Sequence, residues 1–133
     1  MNISSGIDLI EIARIEKALE RHGERFLKRI FSTTELERLR SFQDRKPNPR
    51  LITAEVAARF AAKEACSKAL GTGIGPVSWK EMEVLNERSG RPILRLSGRA
   101  AQIANFLGYT SWSVSLTHSK GMAGAVVVAA GEN

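Results

Sequence analysis

The sequence predicts an α+β domain with a mainly antiparallel sheet and helices packed on it, and three observations predict this fold class. Apolar residues recur at helical spacing through much of the region between residues 11 and 70. Two pairs of short apolar segments later in the chain are each joined by a glycine-containing turn, which is the pattern of antiparallel hairpins. The 133 residues are enough for one core and short for two, so we expect a single domain over residues 1–133.

The N-terminal part is predicted to contain one strand and four helices. Gly23 is suited to ending the first helix, and Ser32 with Glu35 fits a capping box at the start of the third. Gln43–Arg50 is polar and proline-containing, so we expect a loop there, after which Thr53 caps the longest helix. The predicted elements are a strand over Ile3–Asp8 and helices over Glu11–Arg21, Glu24–Ile30, Thr33–Phe42 and Ala54–Leu70.

The C-terminal part is predicted to contain two hairpins separated by a helix. Gly90 lies in the turn of the first hairpin, and Ser119–Gly121 forms the turn of the second. Ser97 can cap the helix between them, and Gly108 can end it. The predicted strands cover Met82–Leu85, Ile93–Leu96, Trp112–Thr117 and Ala123–Ala129, and the helix runs from Ser97 to Leu107. Helices packed on antiparallel strands define the α+β class.

Composition excludes several protein classes and leaves the partner open. The chain carries a formal net charge of +6 and has a pI near 10.0, so it should attract polyanions such as nucleic acid, a phosphate-rich cofactor or an acidic protein. No segment approaches the ~20 apolar residues of a membrane span, and the N-terminus lacks a signal-peptide pattern. The single cysteine, Cys66, excludes an internal disulfide, and no Cys/His cluster suggests zinc. We expect a cytoplasmic protein that does not contact a membrane.

The densest group of chemically useful side chains lies at the end of the longest predicted helix. Glu64 and Lys68 are four residues apart and share a helix face, with Ser67 beside both. This face runs into the glycine-rich segment Gly71–Gly75, whose backbone can approach a ligand closely. A carboxylate for a hard cation and an ammonium for phosphate oxygens suit a magnesium diphosphate site. Spacing alone favours the plainer explanation, a surface ion pair followed by a helix C-cap.

Two further residues lie where side chains often reach a cleft. Asp8 is predicted at the end of the first strand, where it could join Glu64 as a second magnesium ligand or could equally cap the following helix. His118 is predicted at the end of a later strand, beside Thr117, and could bind a phosphate or relay a proton. A lone histidine at a strand end is more often a structural hydrogen-bond donor, so the residues alone leave both roles open.

Taken together, several segments resemble the holo-acyl-carrier-protein synthases, the small bacterial members of the 4′-phosphopantetheinyl transferase family. They occur in family order and at family-like spacing over nearly the whole chain. The most specific are the run Phe-Ala-Ala-Lys-Glu-Ala and the run Gly-Thr-Gly-Ile-Gly. The matching segments are Gly6–Leu9, Arg29–Ser32 with Glu35, Arg59–Ala65, Gly71–Gly75 and Ser115–His118. The resemblance implies an enzyme with the α+β, 4′-phosphopantetheinyl transferase-like fold.

The resemblance also implies an activity and a set of site residues. Such an enzyme depends on magnesium, transfers the 4′-phosphopantetheine arm of coenzyme A to a serine of apo-acyl carrier protein, releases adenosine 3′,5′-bisphosphate and supports fatty acid biosynthesis. By this resemblance, Asp8 and Glu64 bind the magnesium and, with Lys68, form the catalytic group. The residues that it implies for the coenzyme are Ser67, Lys68, Gly71, Thr72, Gly73, Thr117 and His118. It implies a homotrimer with sites at subunit interfaces.

Basic residues of the first two predicted helices form a further candidate site, which we call the basic ridge. Arg14, Lys17, Arg21, Arg25 and Lys28 lie three or four positions apart. Periodicity alone favours a solvated helix face, whereas the resemblance favours docking of an acidic helix of the acyl carrier protein by electrostatic steering.

Two other functions stay open, a basic nucleic-acid-binding module and a coenzyme A sensor that does not turn over. The absence of a recognisable nucleic-acid motif and an aromatic content of only 6% count against the first, so we expect no nucleic-acid partner. The presence of both implied metal ligands, Asp8 and Glu64, counts against the second.

Overall fold

The fold is α+β, as predicted, and we describe it for residues 1–132 of a computed structural model. The elements are β1 (Asn2–Glu11), α1 (Ile12–His22), α2 (Glu24–Ile30), α3 (Thr33–Arg45), α4 (Pro49–Leu70), β2 (Met82–Asn86), β3 (Pro92–Leu96), α5 (Gly98–Leu107), β4 (Ser111–Ser119) and β5 (Met122–Gly131). A short 3-10 helix at Trp79–Glu81 precedes β2. Strands and helices therefore occur in the order that the hydrophobic patterns predict.

The larger sheet joins the two ends of the chain. Its three strands run in the order β1-β5-β4, and every neighbouring pair is antiparallel. Asp8 of β1 lies opposite Ala125 of β5, which in turn lies opposite Leu116 of β4. The strands β2 and β3 form a separate antiparallel pair. Both predicted hairpins are confirmed. Pairing with β5, the last strand, places β1 at one edge of the larger sheet.

The alanine-rich helix α4 packs on the larger sheet and supplies much of the core. The two come closest at Gly6, where an added Cβ would overlap the carbonyl oxygen of Ala65. Cys66, on the same helix, is fully buried, as expected for a cysteine that packs as a small apolar residue. Burial raises the pKa of its thiol to about 12. The sheet can hold the helix this closely because both surfaces carry small residues.

The first strand is longer than predicted. We expect it to end at Asp8 from the sequence, but β1 continues to Glu11 because its last residues pair with β5 as far as Met122. Asp8 therefore lies inside a strand and does not cap α1. Glu11 occupies the residue before α1, and it makes no side-chain capping bond.

The loop predicted over Gln43–Arg50 is confirmed only for residues 46–48. The helix α3 runs to Arg45, and α4 already begins at Pro49. Proline is tolerated there because the first residue of a helix needs no N–H donor and its φ is already helical. Asn48 rather than Thr53 caps α4, since its Oδ1 accepts a hydrogen bond from the backbone N–H of Arg50 at 3.0 Å.

Two predicted caps have different outcomes. The capping box at α3 is confirmed, with the backbone N–H of Glu35 donating to Ser32 Oγ at 3.3 Å and that of Ser32 donating to Glu35 Oε1 at 3.0 Å. Ser97 does precede α5, but its side chain makes no capping bond. Glu81 satisfies the helix start instead, accepting from Arg99 N at 2.6 Å.

A buried ion pair links α3, α4 and β2. Lys63 Nζ donates to Glu35 Oε1 at 2.8 Å, and both side chains are almost completely excluded from solvent. Glu35 Oε2 accepts from the backbone N–H of Val84 at 3.0 Å, and Lys63 Nζ also donates to the carbonyl oxygen of Trp79 at 2.9 Å. Burial lowers the pKa of Lys63, and the neighbouring Glu35 opposes that shift. The pair thereby fixes the 3-10 helix against α4.

The face of the larger sheet that points away from α4 is apolar and open. Ile3, Ile7 and Leu9 of β1 are 62%, 69% and 67% exposed, and Val126 and Val128 of β5 are also exposed. Alternate residues of both strands are buried toward α4, so the exposed set forms one face of the sheet. Within residues 1–132, no helix has the length and apolarity that crossing a bilayer requires.

Candidate active site

The centre of the candidate site is an ion pair between β1 and the end of α4. Lys68 Nζ lies 3.1 Å from Asp8 Oδ1 and donates to the carbonyl oxygen of Ile7 at 2.9 Å. The Asp8 side chain is mostly buried, at 18% exposed, whereas that of Lys68 is half exposed. The structure therefore brings together two residues that are far apart in the sequence and leaves the ammonium accessible.

Glu64 completes a group of two carboxylates and one ammonium. It lies one helical turn before Lys68 and is partly buried. Burial raises the pKa of Glu64, the nearby charge of Asp8 raises it further, and Lys68 opposes the rise. Of the ion pairs in the described residues, Lys68 forms one with Asp8 and none with Glu64, so the simple surface pair that spacing favours is not what forms.

This group fits magnesium in its donor chemistry. Mg²⁺ is usually bound through one or two carboxylates and completes its six oxygen ligands with waters and substrate phosphates. Asp8 and Glu64 supply two such carboxylates, and a cation would offset both the burial of Glu64 and the nearby charge of Asp8, which raise the pKa of Glu64. Residues 1–132 contain no group of three or more His, Cys, Asp or Glu side chains able to hold a metal by themselves.

The glycine-rich segment after α4 is shaped by its helix end. Gly71 adopts a left-handed conformation, with φ of 80°, and its N–H donates to the carbonyl oxygen of Lys68 at 3.0 Å. The N–H groups of Thr72 and Gly73 both donate to the carbonyl oxygen of Ser67, at 3.1 and 3.2 Å. These three N–H groups are therefore already hydrogen-bonded within the chain. A ligand can still come close to the backbone of this segment, because its glycines have no side chains. A Cβ added at Gly71 or Gly73 would meet nothing within 4 Å.

Ser67 does not face the same space as Lys68. Its side chain is fully buried, and its hydroxyl donates to the carbonyl oxygen of Glu64 at 2.7 Å. In this position Ser67 supports the turn that ends α4. Its contact with the coenzyme remains a prediction.

Thr117 and His118 lie on β4, which is separated by β5 from the strand that carries Asp8. Thr117 is exposed opposite Gly124, on the open face of the sheet. His118 lines a cavity of about 450 Å³ between the β4–β5 turn and the first residues of α1 and α4. Thr117 and Asp8 line one shallow cavity of about 270 Å³, whereas His118 does not line it, and the roles of Thr117 and His118 toward the coenzyme remain predictions.

The basic ridge is exposed and divided between two helices. Arg14, Lys17 and Arg21 lie on α1, and Arg25 and Lys28 lie on α2 beyond the break at Gly23, whose φ is 51°. All five side chains are exposed. Within the described residues none of them forms an ion pair, so their charge is available to an acidic partner.

An arginine-lined cavity of about 360 Å³ is a feature that sequence reasoning missed. Arg59 on its wall is 5% exposed and donates to Val84 O at 3.1 Å, Asn86 Oδ1 at 2.9 Å and Glu55 Oε1 at 3.2 Å. Its Nε is the only buried side-chain N or O atom of residues 1–132 that has no hydrogen-bond partner. The other cationic residues on the wall are Arg38, Arg45, Lys46 and Arg88. They come from α3, α4 and the β2–β3 turn, so no sequence periodicity connects them.

Comparison with known proteins identifies the family. A sequence profile of the 4′-phosphopantetheinyl transferase superfamily matches residues 4–127. The chain is 56% identical over 101 residues to the holo-[acyl-carrier-protein] synthase of Rhodopseudomonas palustris strain HaA2, covering 75% of this chain and 70% of that protein. It is 45% identical over 134 residues to the enzyme of the same name from Herpetosiphon aurantiacus, covering 96% of this chain and 98% of that one.

A solved structure agrees with the sequence comparison. The Helicobacter pylori holo-[acyl-carrier-protein] synthase in complex with coenzyme A superposes with a TM-score of 0.78 at 35% identity. The match covers 95% of this chain and 99% of that one, so the architecture is shared from end to end. The expected fold and the expected enzyme class are both confirmed: the chain belongs to the 4′-phosphopantetheinyl transferase superfamily.

Proposed function

We propose that this enzyme transfers the 4′-phosphopantetheine arm of coenzyme A to a serine of apo-acyl carrier protein in a magnesium-dependent reaction. The observation that carries the proposal is the convergence of Asp8, Glu64 and Lys68 at one place. Two carboxylates and a half-exposed ammonium are the groups that a cation-bound diphosphate requires. The similar Helicobacter pylori enzyme, which was solved with coenzyme A, supports the choice of co-substrate.

The chemical step follows from this arrangement. The serine oxygen forms a bond to the phosphorus that bears pantetheine, the bond from that phosphorus to the bridging oxygen breaks, and adenosine 3′,5′-bisphosphate leaves while the serine proton passes to a base. Asp8 and Glu64 would hold the magnesium ion, which would neutralise part of the phosphate charge. Lys68 would donate to the oxygens on which negative charge grows, moving its hydrogen bond from Asp8 to the phosphate.

The arginine-lined cavity is our proposed site for the 3′-phosphate of the nucleotide, since we place the diphosphate at Lys68 and the metal. Its four arginines and one lysine face a single acidic residue, Glu55, so an anion would be attracted there. Arg59 and Lys68 are on the same helix, about 14 Å apart along its axis at 1.5 Å per residue.

The proposed assembly is a homotrimer, and the open face of the larger sheet supports association. Ile3, Ile7, Leu9, Val126 and Val128 form a continuous apolar surface that water contacts in the single chain. Association through this face would bury it and would bring Thr117 against a neighbouring subunit.

The proposed carrier site is the basic ridge. Its exposed, unpaired arginines and lysines would attract an acidic helix of the carrier protein and accelerate the encounter. The ridge begins shortly after Asp8 in the chain, so a docked carrier would present its serine near the carboxylate pair.

The proposal also includes a role in fatty acid biosynthesis and a cytoplasmic location. The single, buried cysteine supports this location, because the chain cannot depend on an internal disulfide.

Intact-mass analysis of an apo-acyl carrier protein incubated with the enzyme and coenzyme A tests this function. A gain of one phosphopantetheine group with magnesium, and no gain with excess chelator, is the expected result. Asp8→Ala and Glu64→Ala should abolish transfer while the melting temperature stays within a few degrees. Normal turnover in both variants would contradict the metal site. Coenzyme A binding without transfer to several carriers would indicate a sensor instead.

A further inference from the structure

We propose that Ser4 is a positioning residue for the metal site, because its hydrogen bond to the end of α4 sets the separation between the carboxylates of Asp8 and Glu64. This inference rests on the proposed function and extends it to a residue outside the group that would hold the cation. Ser4 Oγ donates to the carbonyl oxygen of Ala69 at 2.7 Å, and Ser4 itself is partly buried. The bond joins the beginning of β1 to the last turn of α4.

This hydrogen bond satisfies a carbonyl group that the helix cannot satisfy by itself. The last four carbonyl oxygens of an α-helix have no partner within the helix. Those of Ser67 and Lys68 accept hydrogen bonds from the glycine-rich segment. That of Ala69, a residue only 3% exposed, accepts from Ser4 on a different element. Without the Ser4 hydroxyl this buried acceptor would lose its donor, so the end of α4 would move to reach another donor or water.

Ser4 and Asp8 lie on either side of the closest contact between β1 and α4. Ser4, Gly6 and Asp8 are alternate residues of β1, so they face the same side of the sheet, on which α4 packs. Gly6 marks the closest approach, against the carbonyl oxygen of Ala65. At about 3.3 Å per residue, Ser4 and Asp8 are each about 6.6 Å from Gly6 along the strand. A tilt of α4 about this contact would therefore change the gap at Ser4 and the gap at Asp8 by similar amounts.

A magnesium site is sensitive to such a change. Mg²⁺ demands near-ideal octahedral geometry with oxygen ligands at about 2.0–2.1 Å, so a shift of about 0.5 Å in one carboxylate is enough to weaken binding. Asp8 is carried by β1 and Glu64 by α4. The two carboxylates therefore keep a fixed separation only while the strand and the helix keep one relative position.

Lys68 cannot hold this position throughout the proposed reaction. It also joins α4 to β1, since its Nζ donates to the carbonyl oxygen of Ile7 at 2.9 Å. In the proposed reaction Lys68 turns toward the phosphate, and its bonds to β1 weaken. Ser4 lies outside the group that contacts the diphosphate, so its bond to Ala69 can persist from substrate binding to product release.

Binding of Mn²⁺ tests this inference without relying on turnover. Mn²⁺ prefers the same oxygen ligands as Mg²⁺, and its electron paramagnetic resonance signal measures the unbound ion. The titration is made at one saturating concentration of coenzyme A, with a blank that lacks the enzyme. Ser4→Ala should raise the Kd for Mn²⁺ about three- to tenfold, less than the roughly ten- to hundredfold loss typical for a residue bonded directly to a metal ligand, because Ser4 acts through the backbone.

Two further variants separate positioning from stability. Ser4→Thr keeps the hydroxyl group and should keep the Kd of the unmodified enzyme. Ser5→Ala is the matched control, since Ser5 is the next residue of β1 and is exposed on the opposite face of the sheet. In transfer assays Ser4→Ala should raise the Mg²⁺ concentration that gives the half-maximal rate by the same factor as the Kd, with the KM for carrier protein unchanged.

The outcomes distinguish the role of Ser4 from the proposed function. An unchanged Kd for Mn²⁺ in Ser4→Ala, even with a lower melting temperature, would overturn the inference and leave the transfer reaction standing. An equal rise in Ser4→Thr would also overturn it, because the hydroxyl group would then not be the cause. If the unmodified enzyme bound no Mn²⁺ with coenzyme A present, the proposed function and the role of Ser4 would both be wrong.

Discussion

Lys63 and Glu35 form a buried ion pair, so we expect the effects of replacing them on the free energy of unfolding to depend strongly on each other. Lys63→Met would leave the Glu35 carboxylate with its hydrogen bonds from the backbone N–H groups of Ser32 and Val84 but without a counter-charge. An uncompensated buried charge of this kind costs about 3–5 kcal/mol of unfolding free energy. Glu35→Met would leave the Lys63 ammonium without a counter-charge beside the Trp79 carbonyl oxygen, and it should cost a similar amount.

The double variant should be less unstable than the sum of the two single variants. Both charges disappear together, although three backbone groups lose a partner, and each unpaired buried group costs about 1–3 kcal/mol. We therefore expect a coupling free energy of about 2 kcal/mol or more, within the range seen for directly contacting residues. Urea denaturation at one fixed protein concentration measures it, since association with other subunits would shift the apparent stability.

Lys28→Met is the control, because it removes an exposed cation from α2 and should change stability by no more than about 0.5 kcal/mol. Additive effects of Lys63→Met and Glu35→Met, within about 0.5 kcal/mol, would refute the reasoning. Such a result would mean that the two side chains are stabilised by water and not by each other.

Four further predictions concern the fold, acid stability, assembly and docking. Gly6→Ala should destabilise the enzyme by about 1–3 kcal/mol in the same assay, because its Cβ would meet the Ala65 carbonyl oxygen. The backbone N–H of Ser78, above all, lowers the pKa of the Glu81 carboxyl below its ordinary 4.5. Ionised Glu81 therefore stabilises the fold above pH 4.5, and this contribution is lost as the pH falls through the folded-state pKa. Glu81→Gln should make the free energy of unfolding less dependent on pH in the acid range. Ile7→Asp should dissociate the assembly in sedimentation experiments, and a species of unchanged mass would argue against the open sheet face as the interface. Arg14→Glu should raise the KM for carrier protein with the KM for coenzyme A unchanged, whereas unaltered carrier kinetics would count against docking on the ridge.

The order and type of the elements could be predicted from the sequence because each follows from a local pattern. The capping box of Ser32 and Glu35 is an example, since its signal lies within four residues. The end of β1 could not be predicted, because Leu9–Glu11 are held in the sheet by residues near the other end of the chain. The loop predicted over Gln43–Arg50 was too long for a different reason: two prolines indicated a break, and the second of them, Pro49, begins a helix.

The candidate site could be predicted only in part. The helical spacing correctly placed Glu64 and Lys68 on one face, but it favoured an ion pair between them, and the observed partner of Lys68 is Asp8 on β1. The residues alone left Asp8 equally suited to joining Glu64 as a metal ligand and to capping the next helix, and the family resemblance favoured the metal ligand. The arginine-lined cavity had no signal, because Arg59, Arg38 and Arg88 meet through tertiary packing of three separate elements.

The burial of Cys66 has a consequence for an enzyme that handles a thiol coenzyme. Disulfide exchange requires a thiolate that can reach its partner, and a thiol with a pKa of about 12 in a closed core is neither ionised at neutral pH nor accessible. Since Cys66 is the only cysteine in the chain, the folded enzyme has no group that oxidised coenzyme could trap as a mixed disulfide. Oxidation of the proposed co-substrate to its disulfide should therefore not be followed by thiolation of the folded enzyme.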